Sequence, residues 1–251
     1  MKILLPAFLF VLPSCARVEL PATSRTVNFE VLSAVRSMPA GKGYDASQAA
    51  VDRLAASVSH QNRTFTQDLA KTGPTFCSGA TYLVFLRTIE KLGWTNSLPK
   101  PSLNRLANLD VKDGEEVFGR WNANGPGTAK LFADLNCGIS FTSFDHARPG
   151  DFLKLWWTEA IGGKESGHLV VYLSQTPTTV TWWSANEPSG YGKKSISKSK
   201  IRHHLFSRLT QPKNLLNVSR LSPKDHFLAD MLRKDFSWEQ VIQTCKVQKA
   251  P

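Results

Sequence analysis

Three runs between residues 151 and 183 constrain the fold most. They are Phe152-Leu153-Lys154-Leu155-Trp156-Trp157, His168-Leu169-Val170-Val171-Tyr172-Leu173 and Thr178-Thr179-Val180-Thr181-Trp182-Trp183, each rich in β-branched and aromatic residues. Side chains of that kind suit a pleated surface, and Gly162-Gly163 and Pro177 punctuate the runs, so the region reads as an antiparallel sheet. Residues 200–208 fit a fourth strand. The preceding half has a different period. Ala49, Val51, Leu54, Ala55 and Val58 share one face of a helix over 45–58, and residues 60–74 are polar, ending in a helix-start environment at Lys71-Thr72-Gly73-Pro74. Residues 77–92 lack proline and hold Ala80, Leu83, Val84, Phe85, Leu86 and Ile89, which predicts a heavily buried helix stopped at Gly93. Helices first and strands after make an α+β fold.

The remaining stretches set the expected organisation. Residues 94–146 are mixed, with a loop near Pro99-Lys100-Pro101 and helical patches over 114–121 and 128–135, and the tail after residue 216 holds two short helical patterns, the second starting near Ser237. Lys2 followed by ten apolar residues, 3–12, and then Ser14 and Ala16 has the layout of a secretory signal over residues 1–16. Leu12-Pro13-Ser14-Cys15 also matches a lipobox apart from its proline, so export as a free protein and anchoring through a lipid on Cys15 both remain open. Ten apolar residues are too few to span a bilayer, which takes about 20. Residues 17–60 read as an extended leader with a helix, and 61–215 as the main domain.

Thirty-one Lys plus Arg against 20 Asp plus Glu leave a formal charge of +11, which favours an anionic polymer or surface as partner. Lys193, Lys194, Lys198, Lys200 and Arg202 concentrate that charge on one turn and strand, as edge-strand protection or as a polymer contact. Four cysteines without a Cys-x-x-Cys pair argue against a structural zinc or thioredoxin-type centre, so any chemistry rests on single residues. His203 and His204 point to opposite faces of a strand and cannot easily share one ion. Cys137 and Cys245 are either a disulfide or two buried thiols.

Cys77 is the sharpest candidate. A thiol at the head of a helix sits in the positive end of the helix dipole beside unpaired backbone N–H groups, which favour a thiolate and can receive an oxyanion. The bland alternative is a small buried hydrophobe. A nucleophilic cysteine needs a base. His168 opens a strand behind the flexible-looking Lys164-Glu165-Ser166-Gly167, and Asn186, past the next strand, is placed to orient its ring; Ser184 and Glu187 are rivals for that role. Asp151 reads as structural, tying a turn into its strand.

Taken in order, Cys77 at a helix head, Pro149-Gly150-Asp151 entering a strand, Gly167-His168-Leu169-Val170-Val171-Tyr172, and an aromatic strand ending at Asn186 resemble the papain-like NlpC-type and CHAP cysteine peptidases and amidases over about residues 70–210. The resemblance implies a nucleophile helix packed on an antiparallel sheet, with 94–146 as an insertion that accounts for the 91 residues between Cys77 and His168. It also implies Cys77 as nucleophile, His168 as base and Asn186 as orienting residue, with the Cys77 N–H in the oxyanion site. No cofactor or metal is needed. The implied substrate is an amide or peptide bond in bacterial peptidoglycan, or another anionic polymer, met outside the cytoplasm. No nucleic acid is expected. An acyltransferase or transglutaminase-like enzyme on the same fold, and an inactive secreted module binding cell wall or polyanions, are the alternatives.

Overall fold

A computed structural model describes residues 24–249, so residues 1–16, read above as a secretory signal, and Cys15 among them lie outside the described residues. The helices are α1 (Ser24–Arg36), α2 (Gln48–Ala56), α3 (Cys77–Lys91), α4 (Lys100–Ala107), α5 (Glu116–Asn122), α6 (Gly127–Leu135), α7 (His226–Asp230) and α8 (Trp238–Thr244). The strands are β1 (Gly41–Lys42), β2 (Val58–Gln61), β3 (Thr64–Gln67), β4 (Gly138–Phe141), β5 (Phe152–Trp156), β6 (Gly167–Gln175), β7 (Thr179–Asn186), β8 (Gly190–Ser197) and β9 (His203–Leu209). Seven strands form one antiparallel sheet in the order β1-β8-β7-β6-β5-β9-β4, and β2 and β3 form a separate hairpin. The fold is α+β with helices on an antiparallel sheet, as the pattern of the sequence predicts.

Alternation along the strands divides the core. Phe152, Leu169, Val171, Trp183 and Ala185 pack with Leu83, Val84, Phe85 and Leu86 of α3, while Leu153, Leu155, Val170, Tyr172, Trp182 and Phe206 form a cluster of their own. A strand's side chains alternate faces, so both faces of this sheet are apolar and covered. α3 is buried nearly all round, and Trp121 of α5 stacks on Phe85 at 4.8 Å, which brings the 94–146 segment into the same core. Val27, Val31 and Ala34 of α1 and Leu54 of α2 belong to that core too, so the stretch set apart as a leader packs on the main body.

One buried ion pair locks the entry to β5. Asp151 accepts from Arg208 Nε at 2.8 Å and Nη2 at 2.7 Å, from Asn28 Nδ2 at 2.8 Å and from the Arg148 N–H at 2.8 Å, using its four lone-pair directions. Gly150 before it has φ 95°, and a Cβ there would meet the Asn28 carbonyl oxygen at 2.6 Å, so only glycine fits this turn against α1. The structural reading of Asp151 agrees with this geometry.

Several elements depart from the sequence reading. Residues 58–67 are a hairpin, not a polar helix approach, and its turn residues Asn62 and Arg63 both take positive φ. Lys100–Ala107 is a helix with Pro101 in its first turn, where a missing N–H costs nothing. Cys137 and Cys245 are both buried free thiols. Among the described residues, no helix is long and apolar enough to cross a membrane.

Candidate active site

Phe76 caps α3 in an extended conformation with no side-chain hydrogen bond, so the cap residue's side chain fills none of the first N–H groups around Cys77. Cys77 is half-buried and lines a cavity of about 320 Å³. β6 brings its partner. His168 makes a side-chain hydrogen bond with the Cys77 thiol, and the Leu169 N–H donates to the same sulfur.

The other end of the histidine ring is equally determined. His168 Nε2 lies 3.2 Å from Asn186 Oδ1, which leaves Nδ1 for the thiol. Register explains the meeting, since Tyr172 pairs with Trp182 and continuing by four residues sets Asn186 beside His168. The Asn186 amide has one orientation. Its Nδ2 donates to the carbonyls of Ser184 (3.1 Å) and Gly192 (2.9 Å), and its Oδ1 also accepts from Trp182 Nε1 at 2.9 Å. An oxygen so turned accepts only, so the Nε2 facing it carries the proton and Nδ1 is the nitrogen that exchanges a proton with sulfur. Of the two rivals, Ser184 bonds the Leu169 carbonyl at 2.8 Å and Glu187 is exposed, so Asn186 is the residue that meets His168.

Burial alone pushes the Cys77 thiol up. The His168 charge, the His168 hydrogen bond, the Leu169 N–H and the Lys154 ammonium outweigh it, and the pKa comes down from 9.0 to about 6. A thiol lowered this far is a ready nucleophile at neutral pH, and the imidazole hydrogen-bonded to it is placed to exchange a proton with it.

Tyr44 is a site residue that sequence reasoning missed. Its segment runs between the end of β7 and the nucleophile loop: the Tyr44 N–H donates to the Pro188 carbonyl at 3.1 Å and the Asp45 N–H to the Thr75 carbonyl at 3.0 Å. This brings the Tyr44 hydroxyl within hydrogen-bonding reach of both the Cys77 sulfur and the Cys77 N–H. Burial first, then the charge of Cys77, raise its pKa, so the hydroxyl keeps its proton and remains a donor. Nothing near residue 44 in the sequence points to Cys77.

Glu165 needs a correction. The segment expected to be flexible anchors a buried carboxylate, which accepts from Lys154 Nζ (2.6 Å), the Gly125 N–H (2.7 Å), Trp156 Nε1 (3.0 Å) and the Gly162 N–H (3.1 Å). A Cβ at Gly167 would strike the Leu155 carbonyl oxygen at 2.5 Å, which explains the glycine before His168. His203 and His204 go to separate partners, Glu159 and the Thr142 carbonyl, and among the described residues no group of side chains could hold a metal ion.

No family model, curated protein or solved structure matches the chain.

Proposed function

We propose that this chain is an exported cysteine hydrolase of papain-like type that cleaves an amide or peptide bond, with peptidoglycan as substrate. The observation that carries the reading is the line of contacts from Tyr44 through Cys77 and His168 to Asn186, whose Tyr44–Cys77 end lines a cavity, with the thiol held at about 6. A thiol that served only packing would be raised by burial, as the buried Cys245 is, to about 12, where the charge of Lys130 falls short of offsetting that burial.

The chemistry follows from the geometry. The Cys77 thiolate adds to the carbonyl carbon, and the carbonyl π pair moves onto oxygen. That oxyanion develops beside two donors, the Cys77 N–H and the Tyr44 hydroxyl. His168 gives its Nδ1 proton to the departing nitrogen as the C–N bond breaks, leaving a thioester on Cys77. Water, losing its proton to His168, then adds to the thioester and expels the thiolate as the carboxylic acid forms. Asn186 keeps the imidazole in the orientation that both transfers need.

Net charge of +11 and the exposed Lys193 and Lys194 of β8 support an anionic polymer as the target, and the signal layout at residues 1–16 supports export. Incubation with purified peptidoglycan tests the reading through its products. New amine and carboxylate ends in equal number are the expected result, amine exchange would identify an acyltransferase, and binding without new ends would leave the module reading. Tyr44→Phe should lower kcat about 10²- to 10³-fold with KM little changed, because the lost donor acts on the oxyanion alone. A KM effect without a kcat effect would place Tyr44 in binding.

A further inference from the structure

The Arg208 guanidinium is fully engaged at Nε and Nη2 and open at Nη1. Nε and Nη2 bond Asp151, Nη2 also donates to the His146 carbonyl at 2.7 Å, and the group lies 4.9 Å from the centre of the Phe141 ring. Nη1 has no acceptor among the described residues. It is not sealed from solvent either, since the buried guanidinium nitrogens without a partner are those of Arg53 and Arg120. Nη1 therefore opens on the hollow that Arg208 lines, about 310 Å³ at the β4 edge of the sheet.

This hollow is separate from the Cys77 cavity. Leu205 and Ser207 of β9 line that cavity, and alternation along the strand sends Arg208 to the opposite face. The two share no lining residue. Arg148, His146, Thr210 and Asp145 line the hollow with Arg208, two guanidinium groups against one carboxylate. Asp145 belongs to an exposed residue, where water and salt screen its charge, whereas the Arg208 side chain is 3 % exposed and its donors act in a drier setting. The bonds to Asp151 and His146 fix the Arg208 rotamer before any ligand arrives, so binding costs little side-chain entropy.

An apolar surface adjoins this polar one. Arg148 also borders a hollow of about 570 Å³ formed with Phe29, Leu32 and Pro149. Phe29 is 59 % exposed, the most of any large apolar side chain among the described residues.

We infer that the Arg208 hollow is a second binding site and takes a phosphate group carried on an apolar body, the chemistry of an anionic phospholipid. Nη1 donates to the phosphate, Arg148 adds charge, and the apolar part rests on Phe29 and Leu32. A phosphate has oxygens on several sides, so it can meet both guanidinium groups at once, and an ionised acceptor makes the stronger bond. The inference goes beyond the hydrolase reading and does not depend on it.

The experiment uses the mature, unlipidated protein in flotation with vesicles of phosphatidylglycerol and, separately, of phosphatidylcholine. Flotation with the first, competed by inorganic phosphate, is the expected result. Thr210→Glu sets a carboxylate in the hollow and leaves the Arg208–Asp151 pair intact, and it should weaken vesicle binding about tenfold or more, the scale of a hydrogen bond to a charged group. Arg148→Ala, which keeps the backbone N–H that Asp151 accepts, should act in the same direction. Inorganic phosphate at constant ionic strength should raise the Tm of wild type and not of Thr210→Glu. Phe29→Ser should lose vesicle binding and keep the phosphate effect on Tm. Lys193→Gln with Lys194→Gln should leave both unchanged, since β8 lies towards the other edge of the sheet. Equal flotation of wild type and Thr210→Glu, flotation that disappears in the lysine variant, full vesicle binding by Phe29→Ser, or a wild-type Tm indifferent to phosphate overturns the inference. None of these outcomes involves Cys77, so the hydrolase reading stands or falls on its own measurements.

Discussion

Replacing Cys77 with alanine is expected to lower turnover by about 10⁴-fold or more while substrate binding survives. Removing a nucleophile from a group of residues that act as a unit costs about as much as removing the whole group, and only binding and oxyanion donors are left. The Tyr44 segment is held by its backbone bonds to Pro188 and Thr75 and Lys154 by Glu165, so the cavity that receives substrate persists without the sulfur. Turnover and binding to peptidoglycan, measured on wild type and Cys77→Ala, separate the enzyme from a binding module. Undiminished turnover in the variant would remove Cys77 from the chemistry. A module acting through Lys193 and Lys194 would instead keep all its function in the variant and lose it with rising salt.

The second large effect is on stability. Asp151→Ala leaves the Arg208 guanidinium buried, with its side chain 3 % exposed, and unpaired. Stranding one member of a buried pair costs about 3–5 kcal/mol, and the Asn28 and Arg148 donors lose their acceptor as well. For a chain of this size that corresponds to a fall in Tm of roughly 10 °C. Pairing the change with Arg208→Met should recover much of the loss, since an apolar replacement leaves no buried charge. Thermal unfolding of the single and double variants checks this, and a double variant as unstable as the sum of the singles would show that the pair is not what holds the turn.

Which parts of the molecule were legible follows from how local their signals are. α3 could be read because fifteen residues of helical period need no partner to be recognised. β5, β6 and β7 announced themselves by composition. β4 is only four residues, and β8 reads Gly190-Tyr191-Gly192-Lys193-Lys194, a composition that tertiary pairing overrides. The β2–β3 turn uses Arg63 where glycine would have flagged it.

The site divides the same way. Cys77, His168 and Asn186 each stand at the end of an element visible in the sequence, so a helix head and two strand ends could be matched in order. Tyr44 sits in irregular backbone, brought to Cys77 by contacts between residues far apart in the chain. Glu165 looked mobile because glycine flanks it on both sides. Its burial comes from donors contributed by Gly125, Trp156 and Gly162, which no local pattern encodes.

The central claim is that His168 holds Cys77 as a thiolate. The most direct measurement is the iodoacetamide alkylation rate of Cys77, mapped by mass spectrometry from about pH 5 to pH 9, in wild type and His168→Ala, with the buried Cys137 and Cys245 as internal references. A rate that reaches half its maximum near pH 6 in wild type and moves up towards that of an ordinary thiol in the variant is the predicted result. A Cys77 profile that follows an ordinary thiol in both proteins would contradict it.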